Sequence, residues 1–286
     1  MRPGLTIGEF ARVTHLSVRT LRRYHERGLP GPAVVDPDSG CRCYAGGQLP
    51  AAQVIRRLRE PDMPLREVRG VLAAPDPDAR ASLAAAQLSR LESGPDRARR
   101  AVMPLRRLLQ PEPGRLGAGL RPVPPMTVAA VGEAVGRARV AGWYGAAMAE
   151  PGAALAGRRV TGPPGGRYAS ELFTEGRGDV LACRPVADPP AAGRVRPVIL
   201  PAAGLAVTVH PGPHDDIDVT CGRPGACVTG HALTIDGPVH ETYLTGPRDD
   251  PGPDSRRTEI GWPVFRVDRA DTGRRRRGGT RPPRSR

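Results

Sequence analysis

The chain contains no lysine: all 43 of its basic residues are arginine. A high-GC coding bias alone produces that pattern, so the raw count says little about a partner. Aromatic residues are scarce, 3% of 286, and each one can therefore be weighed individually. No apolar run approaches the roughly 20 residues of a membrane-spanning helix. The first residues also lack the apolar stretch of a secretory signal. These absences lead us to expect a cytoplasmic protein with no membrane partner. The five cysteines (Cys41, Cys43, Cys183, Cys221 and Cys227) are odd in number and lack a scaffold-like spacing, which disfavours a secreted disulfide framework. There is no glycine-rich phosphate loop and no nucleophile motif. No cofactor, metal or catalytic residue is expected.

Glycine (36) and proline (34) are abundant, so much of the chain must be loop, turn or linker. The length suits two domains with connectors. Charge is unevenly spread. Residues 1–75 carry a net +5, residues 76–120 +3, residues 121–265 −1 and residues 266–286 +7, for the total of +14. Basic ends around a neutral middle suggest an N-terminal part that binds a polyanion and a second part with a different task.

Thr6-Ile7-Gly8-Glu9 has the form of a capping box, and Ile7, Phe10, Ala11 and Val13 then make one apolar face. After His15-Leu16, Ser17 offers a second N-cap, and Val18, Leu21 and Tyr24 repeat at helical spacing. Gly28 and Pro30 close the segment. Two short helices across a tight turn are the helix-turn-helix pattern. Arg19, Arg22 and Arg23 project from the second helix, placed to meet phosphates and guanine edges in a major groove; a merely solvated arginine face is the alternative. Val34-Val35, a turn at Asp38-Ser39-Gly40 and Cys41–Tyr44 predict a small β-wing bearing Arg42 and Tyr44. Further helices follow from Gln48 to Arg59 and from Pro64, placed as the first helical residue.

TIGEFARVTHLSVRTLRRYHERGL, VDPDSGCRCY and VIRRLREPDMPLREVRGVL resemble, in that order, the DNA-binding part of MerR-family transcriptional regulators. The resemblance covers about the first 110 residues. It implies a winged helix-turn-helix over residues 1–75, with Arg19, Arg22, Arg23, Tyr24, Arg42 and Tyr44 as the DNA-contacting residues. It departs from the family at Cys41 and Cys43 in the wing, at the weak helix start Ala45-Gly46-Gly47, and at Pro61-Asp62.

Ala84, Leu88, Leu91, Pro95, Ala98, Val102, Leu105 and Leu109 alternate spacings of four and three, a heptad seam. This predicts a coiled-coil dimerisation helix over residues 76–112. Pro95 and Pro104 interrupt it, and an interior proline costs about 3 kcal/mol, so a kink is expected near residues 93–95.

Residues 113–122 are expected to be a linker, and residues 267–286 a disordered basic tail. Between them, residues 123–266 contain a faint repeat. One copy has a helical stretch around Val128–Ala149, then GPPGGRYASELF and GDVLACRPV. The other has one strand in ILPAAGLAVTVHPGP, a short helix after Asp215, then DGPVHETYL and RTEIGWPV. Each copy is expected to place a glutamate, Glu171 or Glu241, on a strand after a Gly-Pro turn. The prediction is a duplicated α+β unit, two helices over an antiparallel sheet, making the whole chain α+β. Seven of the ten aromatic residues lie here. Aligning the Pro-Val ends sets Glu259 opposite Leu181. A carboxylate at an apolar position needs a partner, which makes Glu259 a candidate counter-ion for an organic cation; an edge-strand glutamate in water is the alternative. Tyr243, Tyr168, Trp143 and Glu241 are further ligand candidates, against a plain core role. Cys41-Arg42-Cys43 has poor spacing for zinc, and His210, His214, Asp215, Asp216 and Asp218 are expected to form a loop with turn chemistry.

VTVHPGPHDDID, DGPVHETYLTGP and RTEIGWPV resemble the GyrI-like effector-binding domain that follows the MerR-type head in multidrug-responsive regulators. The combined resemblance implies a homodimer on palindromic double-stranded promoter DNA, acting on RNA polymerase indirectly through the promoter. It also implies a small-molecule effector, often cationic, aromatic or lipophilic, bound between the two halves. A GyrI-like hydrolase with Glu241 or Glu259 as base, or a regulator whose sensor has decayed, remains open on sequence alone.

Overall fold

A computed structural model describes residues 4–29, 31–37, 40–60, 62–91, 118–214, 217–222, 227–228, 231, 233–246, 249, 252 and 255–266. The N-terminal head starts with β1 (Leu5–Thr6) and α1 (Ile7–Thr14). The capping box forms: the Glu9 N–H donates to Thr6 Oγ1 at 3.3 Å, and the Thr6 N–H donates to the Glu9 carboxylate at 2.7 Å. α1 ends at His15, which is left-handed at φ 56°. Ser17 then accepts the Thr20 N–H at 3.0 Å and opens α2 (Val18–Glu26). Gly28, at φ 72°, takes the left-handed position just past that helix, where a side chain would be strained. β2 (Val34–Val35) and β3 (Arg42–Tyr44) complete a three-stranded sheet in the order β1-β3-β2.

The weak start at Ala45 is rescued by a single 3-10 turn, Gly46–Gln48, in which Gln48 Oε1 accepts the Ala45 N–H at 2.9 Å. α3 (Leu49–Arg59), α4 (Leu65–Ala73) and α5 (Pro77–Leu91) follow. Pro64 is the cap before α4 and not its first helical residue. Ala84, on α5, is fully buried. The rest of the seam from Pro95 to Leu109, the kink expected near residues 93–95, and the tail 267–286 lie outside the described residues.

The C-terminal part contains β4 (Gly119–Val123), β5 (Met126–Gly136), α6 (Val140–Ala154), β6 (Gly165–Tyr168), α7 (Ser170–Thr174), β7 (Arg177–Pro185), β8 (Arg196–Leu200), β9 (Ala203–Pro211), α8 (Ile217–Cys221), β10 (Thr234–Ile235), β11 (Val239–Thr245) and β12 (Arg257–Phe265). The sheet runs β4-β9-β12-β11-β6-β7-β5-β8, with β10 beside β12. Several expectations are corrected here. Residues 119–122 are not linker but an edge strand hydrogen-bonded to β9, a position that tolerates Pro122. The expected helix from Val128 begins only at Val140. Val128, Ala129, Ala130 and Val131 are consecutive and buried on both sheet faces, all paired with β7 and the first three also with β8. A short all-apolar run of this kind has no period to separate strand from helix. ILPAAGLAVTVHPGP forms parts of two strands, β8 and β9, rather than one. α6 runs through Pro151 to Ala154.

The repeat is visible as an approximate two-fold axis between β6 and β11, with β7 and β5 on one side answering β12 and β9 on the other. Register defines the equivalences. Glu241 pairs with Ile260, and Gly166 with Ala182; Tyr243 pairs with Thr258, and Tyr168 with Val180. Tyr243 and Tyr168 therefore hold the same place in the two halves, and Glu241 answers Gly166. Glu171 lies on α7, not on a strand, and is not the counterpart of Glu241. One apolar cluster runs through both parts, from Phe10, Tyr44 and Leu58 to Leu172, Ile260 and Trp262. Among the described residues, no helix is long and apolar enough to cross a membrane.

Candidate DNA-reading face and ligand site

Arg19, Arg22 and Arg23 are exposed on α2, while Leu21 and Tyr24, on its other face, are buried. Arg42 is half-buried on the wing. The two tyrosines expected at DNA are core residues. Tyr44 is 1% exposed and stacks on Phe10 at 4.3 Å between ring centroids. Tyr24 sits three residues after Leu21, on the same helix face. In so small a head, burial of large rings supplies much of the packing energy, about 1.5–3 kcal/mol per large apolar side chain.

In the C-terminal part, β11 and β6 bring Tyr243, Tyr168 and Glu241 to one face of the sheet. Glu241 is 4% exposed. Tyr243 Oη donates to its carboxylate at 2.9 Å, and the hydroxyls of Tyr168 and Tyr243 are 2.7 Å apart. Since the Tyr243 proton is committed to Glu241, Tyr168 is the donor of that second bond. Burial, and then the Glu241 charge, push both phenols well above their ordinary value, so both stay protonated as donors. Tyr144, on α6, sets its ring 5.4 Å from Tyr243 and 6.3 Å from Tyr168. Phe173, on α7, lies 6.5 Å from Tyr168, and His214 Nε2 is 3.6 Å from the Glu241 carboxylate. The result is a buried carboxylate inside a shell of aromatic rings, the combination that receives organic cations.

The structure does not bring the other two ligand candidates to this cluster. Glu259 pairs with Thr242 and so points to the opposite face from Glu241; there it meets the Arg121 guanidinium. Trp143 Nε1 donates to Glu133 at 2.7 Å. Sequence reasoning missed Tyr144. It follows Trp143 on a helix that is apolar nearly all round, so periodicity could not say which ring turns inward. His210, expected in a loop, is 1% exposed on β9 and hydrogen-bonded to Thr220 at 2.8 Å and to the Pro213 carbonyl at 3.0 Å. A cleft of about 550 Å³ lies elsewhere, lined by Arg12, Glu133, Arg167, Glu171, Asp179 and Asp236 among others. None of the five ligand candidates lines it.

Comparison with known families matches residues 5–75 to the MerR HTH family of regulatory proteins and residues 149–264 to the GyrI-like small molecule binding domain. The chain joins a MerR-type head to a GyrI-like domain. Among curated proteins, the transcriptional regulator BrlR of Pseudomonas aeruginosa is 41% identical over 64 residues, 22% of this chain and 24% of that protein. The multidrug-efflux transporter 1 regulator of Bacillus subtilis is 36% identical over 64 residues, 22% of this chain and 23% of that protein. The matched stretch thus spans about a quarter of these relatives' length. Among solved structures, EcmrR in its DNA complex has a TM-score of 0.49 at 20% identity, covering 92% of this chain and 100% of that one. SAV2435 bound to tetraphenylphosphonium has a TM-score of 0.39 at 18% identity, covering 52% of this chain and 93% of that one.

The MerR-type head packs directly on the GyrI-like domain, a contact that sequence reasoning did not foresee. Asp218, expected in a loop, lies on α8 and is 5% exposed. Arg57 Nε donates to it at 2.8 Å, and Arg56 approaches at 3.3 Å. Burial alone would raise the Asp218 carboxyl, but Arg56 and Arg57 outweigh it and hold the group below its ordinary value. Gln53 donates to the Asp218 carbonyl at 2.6 Å, and a side chain at Gly222 would collide with the Gln53 amide. Arg12 of α1 donates to the Ile235 carbonyl at 2.6 Å and pairs with Asp236 at 3.2 Å.

Proposed function

We propose that the chain is a ligand-responsive, DNA-binding transcription regulator of the MerR type. It acts as a homodimer on palindromic promoter DNA and reaches RNA polymerase through the promoter. Its effector is a small lipophilic or aromatic cation. The observation that carries the ligand reading is Glu241: a carboxylate withdrawn from water, held by a phenol and ringed by Tyr144, Tyr168 and Tyr243. A buried charge is costly unless it is paired, and a cation between those rings would supply the pair. Glu241 is the counter-ion in this reading. Glu259 is already neutralised by Arg121 on the far face. In this reading Glu241 acts as a fixed charge rather than a catalytic base. On the head, Arg19, Arg22 and Arg23 supply the groove-facing charge and Arg42 the wing contact.

Tetraphenylphosphonium is a suitable probe, titrated calorimetrically into the full-length protein. Glu241→Gln should weaken binding by at least about tenfold, equivalent to about 1.4 kcal/mol. Glu259→Gln should stay within about threefold of the parent, under 1 kcal/mol. The reverse order would transfer the site to the other face of the sheet. No heat with the parent protein would exclude this class of ligand.

A further inference from the structure

We propose that His15, the turn residue of the helix-turn-helix, is a positioning residue that couples the aromatic cluster of the GyrI-like domain to the DNA-reading helices through Phe173. This rests on the reading of the Tyr168–Tyr243–Glu241 cluster as the ligand site and names how occupancy reaches the head. His15 stands between α1 and α2, in the left-handed conformation that turns one helix into the other. Instead of reaching solvent it is 6% exposed. Its imidazole stacks on Phe173 at 4.0 Å between centroids, the planes 11° apart, and lies tilted 6.2 Å from the Trp262 ring. Phe173 lies on α7, a five-residue helix that begins two residues after Tyr168. The same phenylalanine faces the Tyr168 ring at 6.5 Å. Contacts therefore run without a gap from Glu241 through Tyr243, Tyr168 and Phe173 to His15.

The path suits transmission for two reasons. Its links are rigid rings in a close-packed interior, where a displacement at one end must be taken up by the neighbours. It also ends on the residue that sets the angle between α1 and α2, so a small shift there re-aims the arginines of α2. A second contact braces another helix of the head: Asp218 on α8 holds Arg56 and Arg57 of α3, and within the sensor Trp262 Nε1 donates to the Cys221 carbonyl at 3.2 Å at the end of α8. The device is a head docked on the sensor at two places, one aromatic and one ionic, with the aromatic contact wired to the ligand site.

The test is a double-mutant cycle that needs no ligand. Tyr243→Phe deletes the hydroxyl that binds Glu241 and Tyr168 and so perturbs the cluster directly. Amide hydrogen exchange is followed in peptides spanning the α1–α2 turn, in the full-length protein, with and without Phe173→Leu. A coupled turn changes its exchange by about threefold or more on Tyr243→Phe, and that change falls below about 1.5-fold in the Phe173→Leu background. Equal changes in both backgrounds, or none in either, overturn the proposal. His15→Asn is a second breaking variant, since asparagine keeps the left-handed turn but removes the ring; it should abolish the response as Phe173→Leu does. Tetraphenylphosphonium binding is measured separately on each variant. Failure of the ligand reading would appear there, while failure of the coupling appears only in the exchange.

Discussion

Gly166 answers Glu241 in the repeat, and the Tyr168 ring folds back over it: a Cβ at this position would lie 2.7 Å from the ring. Gly166→Ala should therefore push Tyr168 off its partner hydroxyl. Overpacking of this kind costs about 1–3 kcal/mol, and it should appear as a lower urea midpoint with an unchanged slope. Residue roles were the least legible part of the sequence. Glu259, Tyr243, Tyr168, Trp143 and Glu241 all have side-chain chemistry that suits a cation. Which of them share a face depends on strand parity and cross-strand register, and register is set by partners more than 70 residues away, as between Tyr168 and Tyr243. The same limit explains Tyr24 and Tyr44, whose ring-and-hydroxyl chemistry suits either DNA or a core.

At the scale of elements, the head was largely readable because its boundaries are local. A capping box, a serine cap and a left-handed glycine each act within four residues of where they stand in the chain. The sensor was less so. β5 is an alanine- and valine-rich interior strand whose identity comes from neighbours on both sides, and the helix that carries Glu171, α7, is only five residues long, too short for its period to separate it from a strand. The docking of α1 and α3 on α7 and α8 carries a pH dependence. His15 is held well below its ordinary value of 6.5, first by burial and next by Arg56, with Arg137 adding and Asp218 opposing. The undocked head therefore binds the extra proton. Docking is at full strength above pH 6.5 and weakens as pH falls through that value. The depressed Asp218 carboxyl adds a second loss, which begins only as pH falls below its unfolded value of 3.8. Exchange of the α1 and α8 amides, corrected for intrinsic rates, should rise as pH drops from about 7.5 to about 5.5. His15→Asn should flatten that rise. A flat profile in the parent would mean that His15 does not report docking.

For the whole molecule, charge is distributed by function rather than by count. The arginines of α2 point outward, whereas Arg12, Arg56 and Arg57 turn back to hold the sensor. Arginine number alone therefore overstates DNA affinity. If Arg22 contacts a phosphate, Arg22→Ala should reduce the slope of log affinity against log salt by about one, across all duplex sequences. Arg57→Ala should leave that slope unchanged while loosening the head. Fluorescence anisotropy on a labelled duplex, titrated over a range of salt concentrations, separates the two.

The two-fold repeat has a last consequence for how an effector sits. A symmetric site would accept an asymmetric molecule equally well in two opposite poses. With a carboxylate at position 241 and a bare glycine at the matching position 166, those poses are no longer equivalent, and the charged end of a guest has one direction to face. If Glu241 is the counter-ion as proposed, the site thereby acquires polarity: it would tell the head of a molecule from its tail even though the fold around it cannot.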